Sequence, residues 1–486
     1  MEEARLMGFS GGPEKGKLIA ALLGLDGNLT ANVMQVKPKS IRGSGIDRDF
    51  KPMKIRRKTL CRLALIAAVF VIIPAWAAGE EGSGTPLSLQ QVIDMAVQAN
   101  INVKSSKEEI NAALATKKQS RTGFLPTFNA TYQYTYLDED SAKTRFLTDQ
   151  DQYNFSASIT QPLFAGFGIV NQYKMAGYGL EIAQANEQFV RQNIVLEAQT
   201  AYFTVLKAEK LLKVTQETEK QIEAQKNVAN NFYEVGMSPL NDLLQAQVEL
   251  ANATQEVILA KNDLDSAKSN LNILLRRPIN SAVALEDIQD FSSFEHDLEH
   301  CLQTAKENRV EIKIANIDIA MAEKDVKLAQ KDYYPSVNLI GTYYKVGEEW
   351  DVEDDNLWDI RAIASWDFWE WGRTAYGVRE KNSRLAQASL KKNQILDDVS
   401  VEVKQAYLRT RAAEKFIATV ETSIEQAKEN FRINEERYKE QVATATDVLI
   451  AQTLLSRTMT NYYSALYEYK IAKASLYRAM GQEVME

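Results

Sequence analysis

Few residues in this chain are spaced for chemistry. Gly11-Gly12-Pro13-Glu14-Lys15-Gly16-Lys17 has the spacing of a loop that cradles phosphate, but Leu18 stands where a hydroxyl must reach magnesium, and no apolar strand precedes it. A nucleotide site is not expected there. His296 and His300 lie one helical turn apart beside Cys301, a set with some capacity for a transition metal. The preceding Ser292-x-x-Glu295 reads instead as a helix cap, so neither a metal nor a cofactor is expected. No catalytic constellation is present, and the chain does not read as an enzyme. A net charge of -8 gives no basic surface for nucleic acid.

The elements that carry the remaining polar residues come in duplicate. Leu89, Ala96, Lys104, Ala113, Pro126 and Tyr134 meet Leu298, Ala305, Lys313, Ala322, Pro335 and Tyr343 at an offset of 209; Glu197, Ala201, Tyr202, Asp242 and Gln247 meet Glu402, Ala406, Tyr407, Asp447 and Gln452 at an offset of 205. A unit of this length exceeds the ~20 to 50 residues of a solenoid repeat. It is a duplicated half-protein, with repeat 1 over 86–281, a linker over 282–295 and repeat 2 over 296–481.

Ahead of the repeats, residues 53–77 have a basic start, an apolar run from Leu63 to Ile73 and the small-residue site Ala75-Trp76-Ala77, the pattern of a secretory signal peptide. Residues 1–52 then read as a non-native or mis-assigned extension, with Met53 as the start. Cys61 leaves with the signal, so Cys301 has no partner for an internal disulfide and stability must come from packing and assembly. No later segment reaches ~18 consecutive apolar residues, which excludes a transmembrane helix.

The prolines after the signal are Pro86, Pro126, Pro162, Pro239, Pro278 and Pro335, each where the hydrophobic period changes. The proline-free tracts carry a helical period: Ala198, Ala201, Val205, Ala208 and Leu212, and in repeat 2 Val403, Ala406, Thr410, Ala413 and Ile417. Helices are expected near 88–121, 168–234 and 240–275, then near 296–332, 373–440 and 445–480. At ~1.5 Å per residue, each of the two longest spans about 100 Å.

Between opening and long helices the period drops to two. Phe128, Ala130, Tyr132, Tyr134 and Tyr136 alternate with Asn129, Thr131, Gln133 and Thr135, giving strands near 127–137 and 152–164, with counterparts near 336–346 and 357–369. Trp350, Trp358, Trp366, Trp369 and Trp371 lie in or beside the second hairpin, as an aromatic belt does in an outer-membrane barrel. Four strands cannot close a barrel, so further copies must. The acidic loop over 347–356 should face outward at the barrel mouth as a solvated loop, in preference to a contact for divalent cations or lipopolysaccharide.

Each repeat therefore presents, in order, a helix leading into Phe124-Leu125-Pro126 or Tyr333-Tyr334-Pro335, a strand hairpin, a very long helix, a tip and a returning helix; Pro162-Leu163-Phe164 follows the first hairpin, and the returning helices carry Asp242-Leu243-Leu244-Gln245-Ala246-Gln247 or Asp447-Val448-Leu449-Ile450-Ala451-Gln452. This order, given twice, resembles the TolC-type outer-membrane efflux proteins over nearly all of 86–481. The resemblance implies a mixed α and β fold, a homotrimer in the outer membrane of a Gram-negative cell, a twelve-stranded barrel and an α-helical periplasmic tunnel. It implies a passive exit duct for efflux or type I secretion, coupled through a periplasmic adaptor to an inner-membrane pump or ABC transporter. The adaptor would meet the tips, Val235, Gly236, Met237, Ser238 and Pro239 together with Val442, Ala443, Thr444, Ala445 and Thr446. The family's gate positions correspond to Asp242, Asp447 and Tyr438, but its arginine is Ala443 here and its second carboxylate is Ile450. A gate closed by packing and an Asp242 to Tyr438 hydrogen bond is expected. The competing reading is helix capping by both aspartates. For the whole chain, the competing class is a soluble trimeric coiled-coil protein of the cell envelope.

Overall fold

The computed structural model describes residues 86–138, 150–288, 290–347 and 356–483. The extension, the signal segment, Trp350 and the acidic stretch 348–355 lie outside the described residues.

In chain order, repeat 1 contains α1 (Leu89–Ala99), α2 (Ile101–Thr122), β1 (Thr127–Tyr136), β2 (Asp151–Ala165), α3 (Gly168–Glu234) and α4 (Leu240–Leu274). Repeat 2 contains α5 (Leu298–Asn308), α6 (Val310–Ala329), a 3-10 turn (Gln330–Tyr333), β3 (Ser336–Gly347), β4 (Asn356–Ser365), α7 (Arg373–Lys439) and α8 (Ala445–Ala479). Each opening helix is broken in two where one continuous helix was expected. Asn100 ends α1 in an extended conformation (φ -61°, ψ 134°) and starts α2, its Oδ1 accepting from Asn102 N–H at 2.8 Å. Arg309 repeats the break (φ -66°, ψ 125°) but has no acceptor with which to cap. Its side chain is instead buried, donating to Glu311 and Glu402, each at 2.6 Å, and to the Ala479 carbonyl at 3.3 Å. One residue thus ties the start of α6 to α7 and to the end of α8.

The four strands form one antiparallel sheet in the order β1-β2-β3-β4, the repeats meeting at β2 and β3. The register aligns Phe128, Ile159, Gly341 and Ile360, then Ala130, Ala157, Tyr343 and Trp358, on one face. Asn129, Ser158, Thr342 and Asp359 align on the other. The apolar face is most open on its edge strands, Phe128 at 75% and Trp358 at 74% exposure, with Ala157 and Tyr343 partly covered between them, which suits lipid and not water. β4 ends at Ser365, short of the expected 369. Its last ladder partner is Ser336, which follows Pro335 and the 3-10 turn, so nothing remains beyond Ser365 to accept a strand. Trp366, Trp369 and Trp371 therefore lie in the irregular segment after β4, and only Trp358 of the described tryptophans sits in a strand.

The long helices have matched lengths, 67 residues for α3 and α7 and 35 for α4 and α8. Ala198, Val205 and Ala208 of α3 are buried with Val92, Ile93 and Ala96 of α1 and Leu271 of α4. In repeat 2, Val399 and Val403 pack with Cys301, Ala305, Leu476 and Met480. Small residues at this seam allow close helix approach. Among the described residues no helix is long and apolar enough to cross a membrane.

Candidate functional site: the hairpin tips

Both tips end their long helix in the same way. After α3, Met237 N–H reaches back to the Phe232 carbonyl (2.8 Å) and Gly236 N–H to that of Tyr233 (3.0 Å), with Gly236 left-handed at φ 78°. After α7, Val442 N–H reaches Arg437 and Gln441 N–H reaches Tyr438, both at 2.9 Å, with Gln441 at φ 58°. These are paired Schellman closures, which satisfy the last carbonyls of each helix. A plain interhelical turn thus accounts for the second tip although it lacks Gly and Pro.

Of the two returning helices only α8 has a side-chain cap; α4 starts at Pro239 with none. Thr444 Oγ1 accepts from Asp447 N–H (3.2 Å), while Asp447 Oδ2 accepts from Thr444 N–H (2.9 Å) and from the Thr444 hydroxyl (2.7 Å). Those donors, backbone first, hold the Asp447 carboxyl below its ordinary value. Asp242, in the first turn of α4, accepts from the Ser238 hydroxyl at 2.7 Å.

Tyr438 is 4% exposed and packs with Ala445, Val448 and Phe232, its ring centroid 5.5 Å from that of Phe232. Its hydroxyl is buried without a hydrogen-bond partner among the described residues, so the expected bond to Asp242 is not formed. Burial, and then the charge of Asp242, push its phenol above the usual value. What joins the hairpins here is different. Thr446 Oγ1 donates to Gln245 Oε1 at 2.8 Å, Gln441 Nε2 approaches Met237 Sδ at 3.5 Å, and Leu449 of α8 packs on Ile222 and Ala253. Further up, Thr218 donates to Ser456 at 2.9 Å and Lys207 pairs with Glu468 at 2.7 Å. These links were missed because nothing in a single sequence pairs residues 201 or 238 positions apart. The Thr444 and Asp447 cap was legible, since a hydroxyl residue three before an acid marks a helix start.

The His296 and His300 rings stack 4.4 Å apart, and Cys301 is buried in the core of repeat 2, its thiol pushed up chiefly by burial. The cap at this helix is Asp297, whose Oδ1 accepts from His300 N–H at 2.9 Å, and not the expected Ser292-x-x-Glu295. Among the described residues no three metal-type side chains converge.

The chain is 22% identical over 411 residues to outer membrane protein TolC of Escherichia coli (strain K12), covering 81% of this chain and 82% of that one. Among solved structures it is similar to the CmeC outer membrane channel of Campylobacter jejuni (TM-score 0.72, 17% identity, 81% of this chain and 85% of that one). It is also similar to outer membrane protein VceC of Vibrio cholerae (TM-score 0.72, 17% identity, 81% of this chain and 96% of that one). The sequence pattern of the outer membrane efflux protein family matches residues 92–275 and 301–482, both repeats and most of the chain. Nothing supports the soluble coiled-coil alternative: the chain belongs to the outer membrane efflux protein family and is an efflux channel of the outer membrane with a periplasmic tunnel.

Proposed function

We propose that this channel is the passive exit duct of a tripartite efflux or type I secretion assembly, working as a homotrimer. The observation that supports this most is the open sheet. β1 and β4 are both free edges, and unpaired edges are not tolerated in lipid, so β4 of one copy must pair with β1 of the next. Three copies supply twelve strands, enough for a channel. The row through Trp358 then faces lipid, with Trp366, Trp369 and Trp371 at the rim where barrel meets tunnel. Substrate arrives from an inner-membrane pump or ABC transporter through a periplasmic adaptor, and the duct itself performs no chemistry.

In this reading residues 235–239 and 442–446 meet the adaptor. Gating falls to the contacts between hairpins: Tyr438 packed on Phe232, and Thr446 bonded to Gln245. Asp242 and Asp447 contribute by fixing the shapes of the tips through their bonds to Ser238 and Thr444. The purified protein is expected to run as a heat-resistant trimer from outer-membrane fractions and to conduct ions in planar bilayers. A monomer without conductance would sink the reading. Pull-down of the native complex through this chain identifies the adaptor, and with it the class of cargo.

A further inference from the structure

The passage from barrel to tunnel is built twice, and the copies differ in one respect. Between β2 and α3 stand two successive left-handed residues, Gly166 (φ 56°) and Phe167 (φ 65°); between β4 and α7 stand Trp371 (φ 53°) and Gly372 (φ 87°). The glycine has changed places. In the first joint the chain runs so near the turn leading into β3 that a Cβ on Gly166 would lie 2.3 Å from the Lys331 carbonyl oxygen. Phe164, Phe167 and Tyr334 close around it edge to face, with centroids 5.2 to 6.4 Å apart. In the second joint Asp367, Glu370 and Arg373 share a cleft with Lys331 and Tyr334 on the inner side, but among the described residues no turn follows on the outer side, because β4 is the edge of the sheet. Trp369 stands 68% exposed and Trp371 86% exposed. A tryptophan in the left-handed region is strained, and strain that persists points to a function.

We propose that the turn leading into β1 of a second copy, residues 122–125, completes this joint, with Trp369 and Trp371 packed upon it. The inference rests on the trimeric reading. The internal repeat supplies the geometry: residues 122–125 precede β1 as residues 331–334 precede β3. Thr122 corresponds to Lys331, and Leu125, itself 57% exposed, corresponds to Tyr334. Trp371 carries the Cβ that the first joint excludes. The joint between copies is therefore wider than the joint within a chain, and the indole fills the difference.

The test is disulfide trapping in outer membranes with Trp371→Cys and Thr122→Cys in one full-length chain that also carries Cys61→Ser; Cys301 is buried and adds no background. Oxidation is expected to give a ladder up to covalent trimer on a non-reducing gel, and none when Trp358→Cys replaces Trp371→Cys. No ladder while an amine-reactive cross-linker still gives trimers overturns the joint and leaves the trimer standing. Monomers with both reagents overturn the trimer as well. A second variant, Trp371→Gly, suits the left-handed backbone better, so a role confined to one chain predicts a trimer at least as heat-resistant. The joint predicts a lower dissociation temperature, and a rise would refute it.

Discussion

At Gln441 the chain accepts a left-handed residue that carries a Cβ, where the other tip has Gly236. That choice is unfavourable by about 1 kcal/mol. Gln441→Gly is therefore expected to raise thermal stability, followed by circular dichroism; a fall would show that the contact with Met237 outweighs the strain. Three residues earlier in α7, the Tyr438 hydroxyl is buried and unpartnered, so its loss removes a desolvation penalty of roughly 1 kcal/mol or more. Tyr438→Phe should leave channel conductance unchanged and stability equal or higher. Increased conductance would show that the hydroxyl does lock the gate. At Asp447 the folded carboxyl titrates below its unfolded value, so its contribution is complete above the unfolded value and is lost as pH falls through the lower folded one. The protection of the Thr444 and Asp447 amides, taken relative to their intrinsic exchange rates, is expected to fall in that acid window, and Asp447→Asn to abolish the step.

At the scale of elements, the broken opening helices depend most on single residues. Removing one partner from a fully buried ion pair costs ~3–5 kcal/mol. Arg309 is 4% exposed, but Glu402 is 41% exposed and also pairs with Arg478 at 2.5 Å, so water and the second arginine offset part of the loss. Arg309→Met is expected to destabilise the chain by about 2 kcal/mol in chemical denaturation, with an unchanged result placing the fold's weight elsewhere. The break itself was not legible. Asn100 is a residue that caps helices, but Arg309 is not, and a proline-free tract gives no other stop signal. The strands were legible because a sheet with one face toward lipid must alternate. The same alternation misled at the end of β4, where Trp366 and Phe368 keep the period after the ladder has run out of partners. A left-handed tryptophan leaves no trace in a sequence, since the backbone there is fixed by packing and not by local preference.

For the whole molecule, the duplication was readable from residue identities alone, and the buried seam at Ala198, Val205 and Val403 followed from it. How the hairpins hold one another was not, because those contacts join distant residues of opposite repeats. Thr446→Val, which removes the donor to Gln245, is expected to increase open-channel current in bilayers without lowering trimer yield. No change in current would move the gate to the packing around Tyr438. The matched helix lengths have a further effect. With 67 residues descending and 35 returning in both repeats, the six tips of the proposed trimer reach one level. In that proposed trimer a partner at the tip end would meet six tips, so a contact too weak to hold alone could hold through repetition, since each engaged tip raises the local concentration for the next. Grip of that kind is strong in sum yet can be released one tip at a time, which suits a joint that must be assembled and taken apart.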